Sequence, residues 1–373
     1  TGATSAHSPS LIGTSTLSNY HVIMTGTGDI RISAGLDIRL LNPFASIYTA
    51  GAKVADPTLG GQFDVPQLLV NPAGGALGTR QQTYVAQYTQ SGGNIAINAG
   101  RDISRLTQVS AANTTLVADS TKELPTNWLY RRSHIDETTQ AFGSGSDPAD
   151  VSRIDSTTWW VDFSNFFEGV GTLGGGDLSL FAGGNINNID AVAPTNARIK
   201  KGAAELVELG GGDLSVRAGG NLNGGVYYVE RGKGTLVAGR AITTNVTRAT
   251  STSADPLTWL PTTLFVGKGL FDVTARGDIL LGPVANPFLL PGGIGNAYYY
   301  KTYFSSYSTD AGVTVKSIGG SVTSRTAAAL ATSGTSDSAG VGSGKNLLLN
   351  LYEKVLLLNS TAASNTQPWL RLN

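Results

Sequence analysis

The sequence predicts an all-β protein, a right-handed parallel β-helix (β-solenoid) with irregular and partly helical insertions. Three observations lead to this prediction: a short motif recurs along the chain, apolar and polar residues alternate within each copy, and glycine follows the alternation. The chain has 373 residues, of which 48 are glycine, and only 14% of it is charged. Glycine-rich corners and a neutral outer surface account for both values.

The two clearest copies of the motif are residues 176–186 (GDLSLFAGGNI) and 212–222 (GDLSVRAGGNL). In the first copy, Leu178, Leu180 and Ala182 occupy alternate positions. A period of two residues is typical of a β-strand with one buried face. The Gly-Gly-Asn that follows predicts a corner, because glycine and asparagine tolerate positive φ.

Further copies support a stack of repeated units. A strand, a corner and a second strand cannot bury their apolar face alone, so repeats of this unit predict a solenoid. If the alternating apolar residues face inward, Leu180, Val216 and Leu236 form one apolar ladder on successive coils. The other copies are residues 28–38 (GDIRISAGLDI), 93–103 (GNIAINAGRDI), 269–279 (GLFDVTARGDI), a shortened copy at 234–242 and a degenerate copy at 313–322.

Breaks in the motif predict the organisation of the chain. Prolines, glycine pairs and aromatic runs interrupt it, and proline removes donors from a β-ladder. Within the β-helix of residues 28–326, we predict insertions at about 42–90, 107–170, 190–209 and 282–308. The remaining segments are a leader and first imperfect coil (1–27), a low-complexity loop (327–345), and a last coil with a C-terminal cap (346–373).

Two helical segments are predicted inside the insertions. AELVEL, residues 204–209, predicts a single helical turn. Residues 156–170 predict a short amphipathic helix that packs on the solenoid, with Ser156 or Thr157 as its cap. Large apolar residues recur there at helical spacing: Trp159, Phe163, Phe166, Phe167 and Val170.

Composition excludes several classes of function. Lys plus Arg and Asp plus Glu are equal at 26 each, so no field exists to hold nucleic acid or an anionic membrane. Cysteine is absent, which excludes disulfides, thiolate metal sites and cysteine nucleophiles, and fits export through an oxidising periplasm. No apolar run is long enough to span a bilayer as a helix, and we expect the chain to be an excerpt of a longer protein.

The sequence contains only weak matches to motifs for nucleotide binding, nucleophilic catalysis or metal binding. GVGTLG at 169–174 matches a dinucleotide fingerprint but lacks the strand before it and the helix after it. No G-x-S-x-G sequence provides a serine nucleophile. The three histidines, His7, His21 and His134, lack metal-binding spacing. We therefore expect no catalytic, metal-binding or cofactor-binding residues, and no cofactor.

Acidic and amide residues mark the predicted corners. One interpretation is a pair of carboxylates that hydrolyses glycosides. The favoured interpretation is a turn ladder in which each side chain caps its own backbone, because it accounts for every copy. The set is Asp29, Asp37, Asn94, Asp102, Asp177, Asn185, Asp213, Asn221 and Asp278.

Clustered aromatic residues are candidates for an interaction surface. Exposed rings could stack on sugars, since they present apolar faces with polar tips. The alternative, which we favour, is that they cover a side of the solenoid, because large aromatics are mostly buried. The candidates are Trp159, Trp160, Tyr298, Tyr299, Tyr300, Tyr303 and Tyr307.

Four blocks carry more than the repeat requires: NFFEGVGTLGGGDLSLFAGGNI (165–186), VAPTNARI (192–199), LFVGKGLFDVTARGDILLGPVANPFLLPGG (264–293) and KTYFSSYS (301–308). They resemble the C-terminal region of filamentous-haemagglutinin-like exoproteins of two-partner secretion. More narrowly, they resemble the large conserved domain of unknown function in that family. The resemblance extends over residues 28–322 and implies a secreted or surface-displayed protein of a Gram-negative bacterium, with an outer-membrane transporter as its partner during export.

The expected function is a non-enzymatic structural and interaction module of a large adhesin-like exoprotein. Its partner would be a glycan or protein on a host or bacterial surface. One alternative is a β-helix protein that binds or cleaves carbohydrate, and another is a self-assembling extracellular filament whose subunits associate end to end. Acidic side chains that converge with Lys or Arg in a groove on one side of the rod would favour the enzyme.

Overall fold

We describe the fold from a computed structural model. The structure describes residues 21–41, 45–54, 88–108, 114–118, 125–132, 158–163, 166, 169–199, 206–243, 262–282, 284–287 and 310–324. Over these residues, three parallel sheets each contribute one strand to every coil, which gives seven coils. The predicted all-β fold of the parallel β-helix type is confirmed.

The strands of the three sheets follow one another in strict rotation. Sheet A contains β1 (His21–Thr25), β4 (Ala45–Thr49), β12 (Gly169–Thr172), β15 (Ala191–Ala193), β20 (Val226–Val229), β23 (Thr263–Val266) and β26 (Val284–Ala285). Sheet B contains β2 (Ile30–Ala34), β7 (Ile95–Ala99), β13 (Leu178–Ala182), β18 (Leu214–Ala218), β21 (Lys233–Ala238), β24 (Leu270–Ala275) and β27 (Gly312–Ser317). Sheet C contains β3 (Ile38–Leu40), β8 (Ile103–Gln108), β14 (Ile186–Asn187), β19 (Leu222–Asn223), β22 (Ile242–Thr243), β25 (Ile279–Leu281) and β28 (Val322–Ser324).

Further elements lie in the excursions between coil strands. Strands β5 (Ala52–Lys53) and β6 (Thr89–Gln90) pair with each other, and β9 (Leu116–Ala118) pairs with β8. The helix α1 (Pro125–Trp128) precedes an antiparallel sheet of four strands. We call it the cover sheet, and it runs in the order β10 (Leu129–Arg132), β11 (Thr158–Val161), β16 (Thr195–Ile199) and β17 (Leu206–Gly210).

The interior of the coil stack consists of apolar ladders. Leu180 lies beside Val216, and Val216 lies beside Leu236, in the register of sheet B. All three side chains are at most 1% exposed, so the predicted inward ladder is confirmed. The outward residue Phe181 is 47% exposed, which confirms the strand phase.

The corner between sheets B and C is short in every described coil, and its glycines are needed for a different reason than predicted. Gly183 and Gly219 do not have positive φ. A Cβ on Gly219 would instead lie 2.2 Å from the carbonyl oxygen of Gly183, one coil below. Close approach of stacked backbones therefore selects glycine here, and the prediction of positive φ at this corner is wrong.

We expect Gly219→Ala to destabilise the protein by about 1–3 kcal/mol, because the new methyl group overlaps the backbone of the coil below. The matched control is Gly35→Ala at the equivalent corner of the first coil, where a Cβ would meet nothing within 4 Å. The measurement is the free energy of unfolding in denaturant. Equal stability of the two variants would contradict the role assigned to coil stacking.

The Asp and Asn residues at the corners form ladders between coils. Asn94 N–H donates to Asp29 Oδ1 at 2.9 Å, Asp177 N–H to Asn94 Oδ1 at 2.8 Å, and Asp213 N–H to Asp177 Oδ1 at 2.9 Å. A second ladder repeats the pattern through Asp37, Asp102, Asn185 and Asn221. The ladder interpretation is confirmed, but each side chain caps the next coil's backbone, where we predicted its own.

Both predicted helical segments are wrong. Trp159 lies in β11, whose register pairs Trp160 with Tyr130 of β10. Residues 206–209 lie in β17, which pairs with β16. Tertiary pairing decides these short segments, because neighbouring strands satisfy the backbone donors that an isolated helical turn would leave exposed.

Some strands lie where insertions were predicted. Strands β4, β15 and β26 fall within residues 42–90, 190–209 and 282–308, yet each is a strand of sheet A. Their sequences do not alternate, because sheet A is covered on both faces and its strands are buried along most of their length. Residues 244–261, between β22 and β23, lie outside the described residues, and no insertion was predicted there. Residues 1–20 and 325–373, including the predicted loop and cap, lie outside the described residues.

The cover sheet packs on the outer face of sheet A. Its side chains form one buried cluster with outward residues of sheet A such as Tyr228 and Phe265. The Trp128 ring meets Phe166 edge-on at 5.5 Å and Tyr228 at 6.2 Å between centroids. From the cover sheet, the cluster contains Leu129, Trp159, Val161 and Ala197.

Candidate functional site

A cluster of polar side chains lies between the cover sheet and the fifth and sixth coils. Val229 and Val266 are partners at the ends of β20 and β23, so the residues that follow them share one corner of the stack. Glu230 and Lys268 come from that corner. The cover sheet contributes Trp159 from β11, Thr195 from β16 and Glu208 from β17.

Glu230 is a buried carboxyl group in this corner. It is 1% exposed, and its Oε2 accepts a hydrogen bond from the Tyr228 hydroxyl at 2.8 Å. Gly267, one coil above, leaves the space that the carboxyl group occupies: a Cβ there would lie 2.1 Å from both carboxyl oxygens. A side chain at position 267 would therefore displace Glu230.

Burial and, to a smaller extent, the negative charge of Glu208 raise the pKa of Glu230 from its ordinary value of 4.5 to about 8. The Tyr228 hydrogen bond and the Lys268 ammonium oppose that rise in pKa. Glu230 is therefore mostly uncharged at neutral pH and can donate a proton.

Glu208 is fixed by donors on both of its oxygens. The Trp159 indole N–H donates to Thr195 Oγ1 at 3.0 Å, and the Thr195 hydroxyl donates to Glu208 Oε1 at 2.7 Å. Lys268 Nζ forms an ion pair with Glu208 Oε2 and lies 5.5 Å from the centroid of the Trp159 ring. The Glu208 side chain is 13% exposed and that of Lys268 is 38% exposed, so the pair lies at the margin of the cover sheet.

We expect Glu230 to make the protein less stable as the pH rises. The folded-state pKa lies above the unfolded value, so the stabilisation is complete below pH 4.5 and is lost as the pH rises through about 8. Glu230→Gln keeps a neutral side chain of similar size and should remove this slope. Denaturant unfolding of both proteins across this range measures it, and equal slopes would contradict the assignment.

The two carboxyl groups and the lysine converge as a sugar-cleaving site would require, but not in an open groove. Tyr228 and Glu230 are buried beneath the cover sheet. A polysaccharide could reach the carboxyl group of Glu230 only if the cover sheet moved away. The geometry of this cluster therefore does not favour glycoside hydrolysis.

The aromatic candidates do not form an exposed surface where the structure describes them. Trp159 is 0% exposed and Trp160 is 5% exposed, so both are packing residues, and of the two interpretations of these candidates the favoured one, packing, describes them. The Trp160 ring lies 6.4 Å from that of Tyr88. The other candidates, Tyr298, Tyr299, Tyr300, Tyr303 and Tyr307, lie outside the described residues.

Glu208, Glu230 and Lys268 were not identified from the sequence. Glu208 lies in the segment predicted to be a helical turn, and only the pairing of β17 with β16 directs it toward Thr195. The available signal was the run VYYVE at 226–230, in which an acidic residue directly follows a strand that is apolar throughout. Such a residue must be neutralised or paired if it is buried.

A second buried ionic contact joins β8 of the second coil to the corner between β14 of the third coil and β15 of the fourth. Arg105 and Asp190 are 0% and 1% exposed, and Arg105 Nη2 lies 2.9 Å from Asp190 Oδ2. Asp190 Oδ1 also accepts a hydrogen bond from Val226 N–H in the fifth coil at 2.8 Å. This pair therefore links the second coil to the corners that precede the fourth and fifth coils.

The fold and these sites define the chain as a parallel β-helix protein with a covered face. No protein-family model, curated protein or solved structure gives a significant match to the chain. Among the described residues, no group of three or more His, Asp or Glu side chains is arranged to hold a metal ion. The described helix is also too short to cross a membrane.

Proposed function

We propose that the chain is a non-enzymatic structural and interaction module of a large secreted or surface-displayed bacterial exoprotein of the adhesin type. The coil stack is the rigid support, and the segments that leave it are the elements that contact a partner. Family resemblance in the sequence supports the extracellular setting. The architecture is consistent with two roles, a rigid coil stack and segments that leave it to contact a partner.

The observation that carries this proposal is where the chain leaves the coils. In the described part of the chain, every long excursion starts at an end of a sheet A strand or ends at one: after β4, β8, β15, β22 and β26. In the seven described coils, the corner between sheets B and C carries none. Excursions concentrated along two edges of a rigid rod resemble binding loops on a scaffold, where recognition residues are commonly found.

The proposal predicts that binding maps to these edges and not to the plain faces. We expect the purified chain to bind saturably to intact bacteria, host cells or arrays of surface glycans and matrix proteins. Lys53→Glu and Leu116→Glu, in exposed parts of two excursions, should weaken that binding. Arg217→Glu and Phe181→Glu, on the outer face of sheet B, are the matched controls.

Three results would count against the proposal: no binding to any of these surfaces, binding lost only in the sheet B controls, or release of reducing sugars from a polysaccharide panel. The last result would favour the carbohydrate-cleaving alternative. A single carboxylate substitution that abolished such release would then identify the acid.

End-to-end association is a second candidate, and exposed ends of the described stack favour it. Among the described strands, β1 pairs only with β4, and its residues Val22, Ile23 and Met24 are 45%, 50% and 56% exposed. Ile318 and Val322 of the seventh coil are 66% and 52% exposed. Among the described residues, the terminal strands β1, β2 and β3 at one end and β26, β27 and β28 at the other each pair with a strand of the stack on one side, so a second copy could continue the stack, and contacts of this kind do not close.

Sedimentation velocity over a range of concentrations tests the association. We expect species larger than the monomer to form at high concentration, and Ile23→Lys on the open strand should suppress them. Phe181→Lys, which adds the same charge to a side face, should not. Removal of residues 360–373 should promote association if they shield the other end, and a monomer at all concentrations in every form would remove this candidate.

A further inference from the structure

The contact between Lys268 and Glu208 places an amine against a carboxyl group from a distant part of the chain. The two residues are 60 positions apart, one after a strand of the coil stack and one in the cover sheet. Proximity of this kind converts a reaction between two molecules into one within a single molecule. An amine and a carboxyl group held in contact can condense to an amide when their surroundings disfavour the charged pair.

The neighbouring groups supply what the condensation needs. The Thr195 hydroxyl donates to Glu208 Oε1, and Trp159 N–H holds that hydroxyl, so a negative charge developing on Oε1 meets a positioned donor. Glu230 is a second, buried carboxyl group in the same corner, and its backbone oxygen accepts a hydrogen bond from Lys268 N–H at 2.6 Å. The buried rings of Trp159 and Tyr228 border the cluster, and the Glu208 side chain is 13% exposed.

We propose that Lys268 Nζ and Glu208 Cδ form an intramolecular isopeptide bond, with Glu230 transferring the protons. The bond would join β17 of the cover sheet to the sixth coil. A covalent tie at this point would keep the cover sheet on the rod under mechanical load. This inference concerns a site within the molecule and does not depend on the proposed display function.

The steps balance without any further reactant. Lys268 passes one proton to Glu208 Oε2, which leaves a neutral amine beside a neutral acid. Nζ attacks Cδ, and Oε1 carries the negative charge while Thr195 donates to it. Glu230 gives its proton to the departing Oε2 hydroxyl and takes one from Nζ, so that water leaves, the amide forms and Glu230 is protonated again.

The geometry also explains why another lysine pair should not react. Lys233 lies 2.5 Å from Asp272 across two adjacent coils, but the two side chains are 53% and 43% exposed. That pair is open to solvent, whereas Glu230, the neighbour of Glu208 and Lys268, is 1% exposed. The uncharged acid next to Glu208 and Lys268 therefore distinguishes the two contacts.

Intact-mass spectrometry of the purified full chain under denaturing conditions tests the proposal. We expect the protein to be lighter than its sequence by one water molecule. Tryptic digestion should leave the bond after Lys268 uncleaved and yield one branched peptide that contains both Lys268 and Glu208. The full sequence mass, with these residues in separate linear peptides, would overturn the proposal.

Two variants separate the roles of the residues. Lys268→Arg keeps the positive charge and should restore the full mass, with a lower midpoint of thermal unfolding. Glu230→Gln keeps a neutral side chain and should also restore the full mass, because an amide does not transfer the protons. Loss of water that persisted in Glu230→Gln would overturn the role of Glu230, and loss that persisted in Lys268→Arg would overturn the assignment of the bond.

Lys233→Arg is the control for the exposed lysine. We expect it to lose one water molecule as the unaltered protein does. If its mass were instead that of its full sequence, the reacting lysine would be Lys233, and the proposal for Lys268 would fail. Circular dichroism of each variant distinguishes a lost bond from a lost fold. The β-sheet signal should be the same in the unaltered protein and in all three variants.

Discussion

We expect Leu180→Asp to unfold the centre of the coil stack. Leu180 is 1% exposed and lies between Ile97 of the coil below and Val216 of the coil above. No cation is available among these apolar neighbours, so the substitution would bury an unpaired charge. The expected loss of stability is more than about 3 kcal/mol, which is diagnostic of a core position.

Phe181→Asp is the control for this prediction. Phe181 is the next residue in the same strand, and its side chain points outward. A charge at an exposed strand position should change the free energy of unfolding by less than about 1 kcal/mol. Denaturant unfolding of both variants gives the comparison. If Leu180→Asp melted at the temperature of the unaltered protein, the inward ladder of sheet B would be wrong.

Asp190→Ala should have the next largest effect, about 3–5 kcal/mol, because it leaves Arg105 charged and buried without the carboxylate that faces it. The exposed pair of Arg31 and Asp29, with side chains 78% and 36% exposed, is the control. Arg31→Ala should change the free energy of unfolding by no more than about 1 kcal/mol.

A double variant shows whether the buried charge is the cause. Arg105→Met combined with Asp190→Leu removes both charges and fills similar volume, so it should be more stable than Asp190→Ala alone. Denaturant unfolding of the single and double variants measures the difference. A double variant less stable than Asp190→Ala would indicate that the Asp190 bond to Val226 N–H, rather than the charge of Arg105, dominates.

These predictions share one structural feature, the stacking of coils in register. Each coil is held by its neighbours through apolar ladders inside, backbone hydrogen bonds within the sheets, and Asp or Asn side chains at the corners. Stability in such a stack is close to a sum of contacts between neighbours. A substitution in the middle of the stack, at Leu180 or Asp190, should therefore destabilise the coils on both sides of it.

The sequence by itself determined the repeating unit of sheet B. Alternation of Leu178, Leu180 and Ala182 with exposed positions is a local property, because one face of the strand meets the interior and the other meets solvent. The glycines and the Asp or Asn residues at the corners were also identified correctly. Their reasons were not, since the close approach at Gly219 and the hydrogen bond from Asp213 N–H to Asp177 involve a neighbouring coil.

The tertiary structure alone decided the covered face and the polar cluster. Strands of sheet A in the second to sixth coils are buried on both faces, so they show no alternation and were assigned in part to insertions. The segment at Trp159 has a spacing that suits a helix, but pairing with β10 and β16 makes it a strand. Glu208, Glu230 and Lys268 come from three separate segments, and their meeting depends on how the cover sheet docks on coils five and six, which no local pattern encodes.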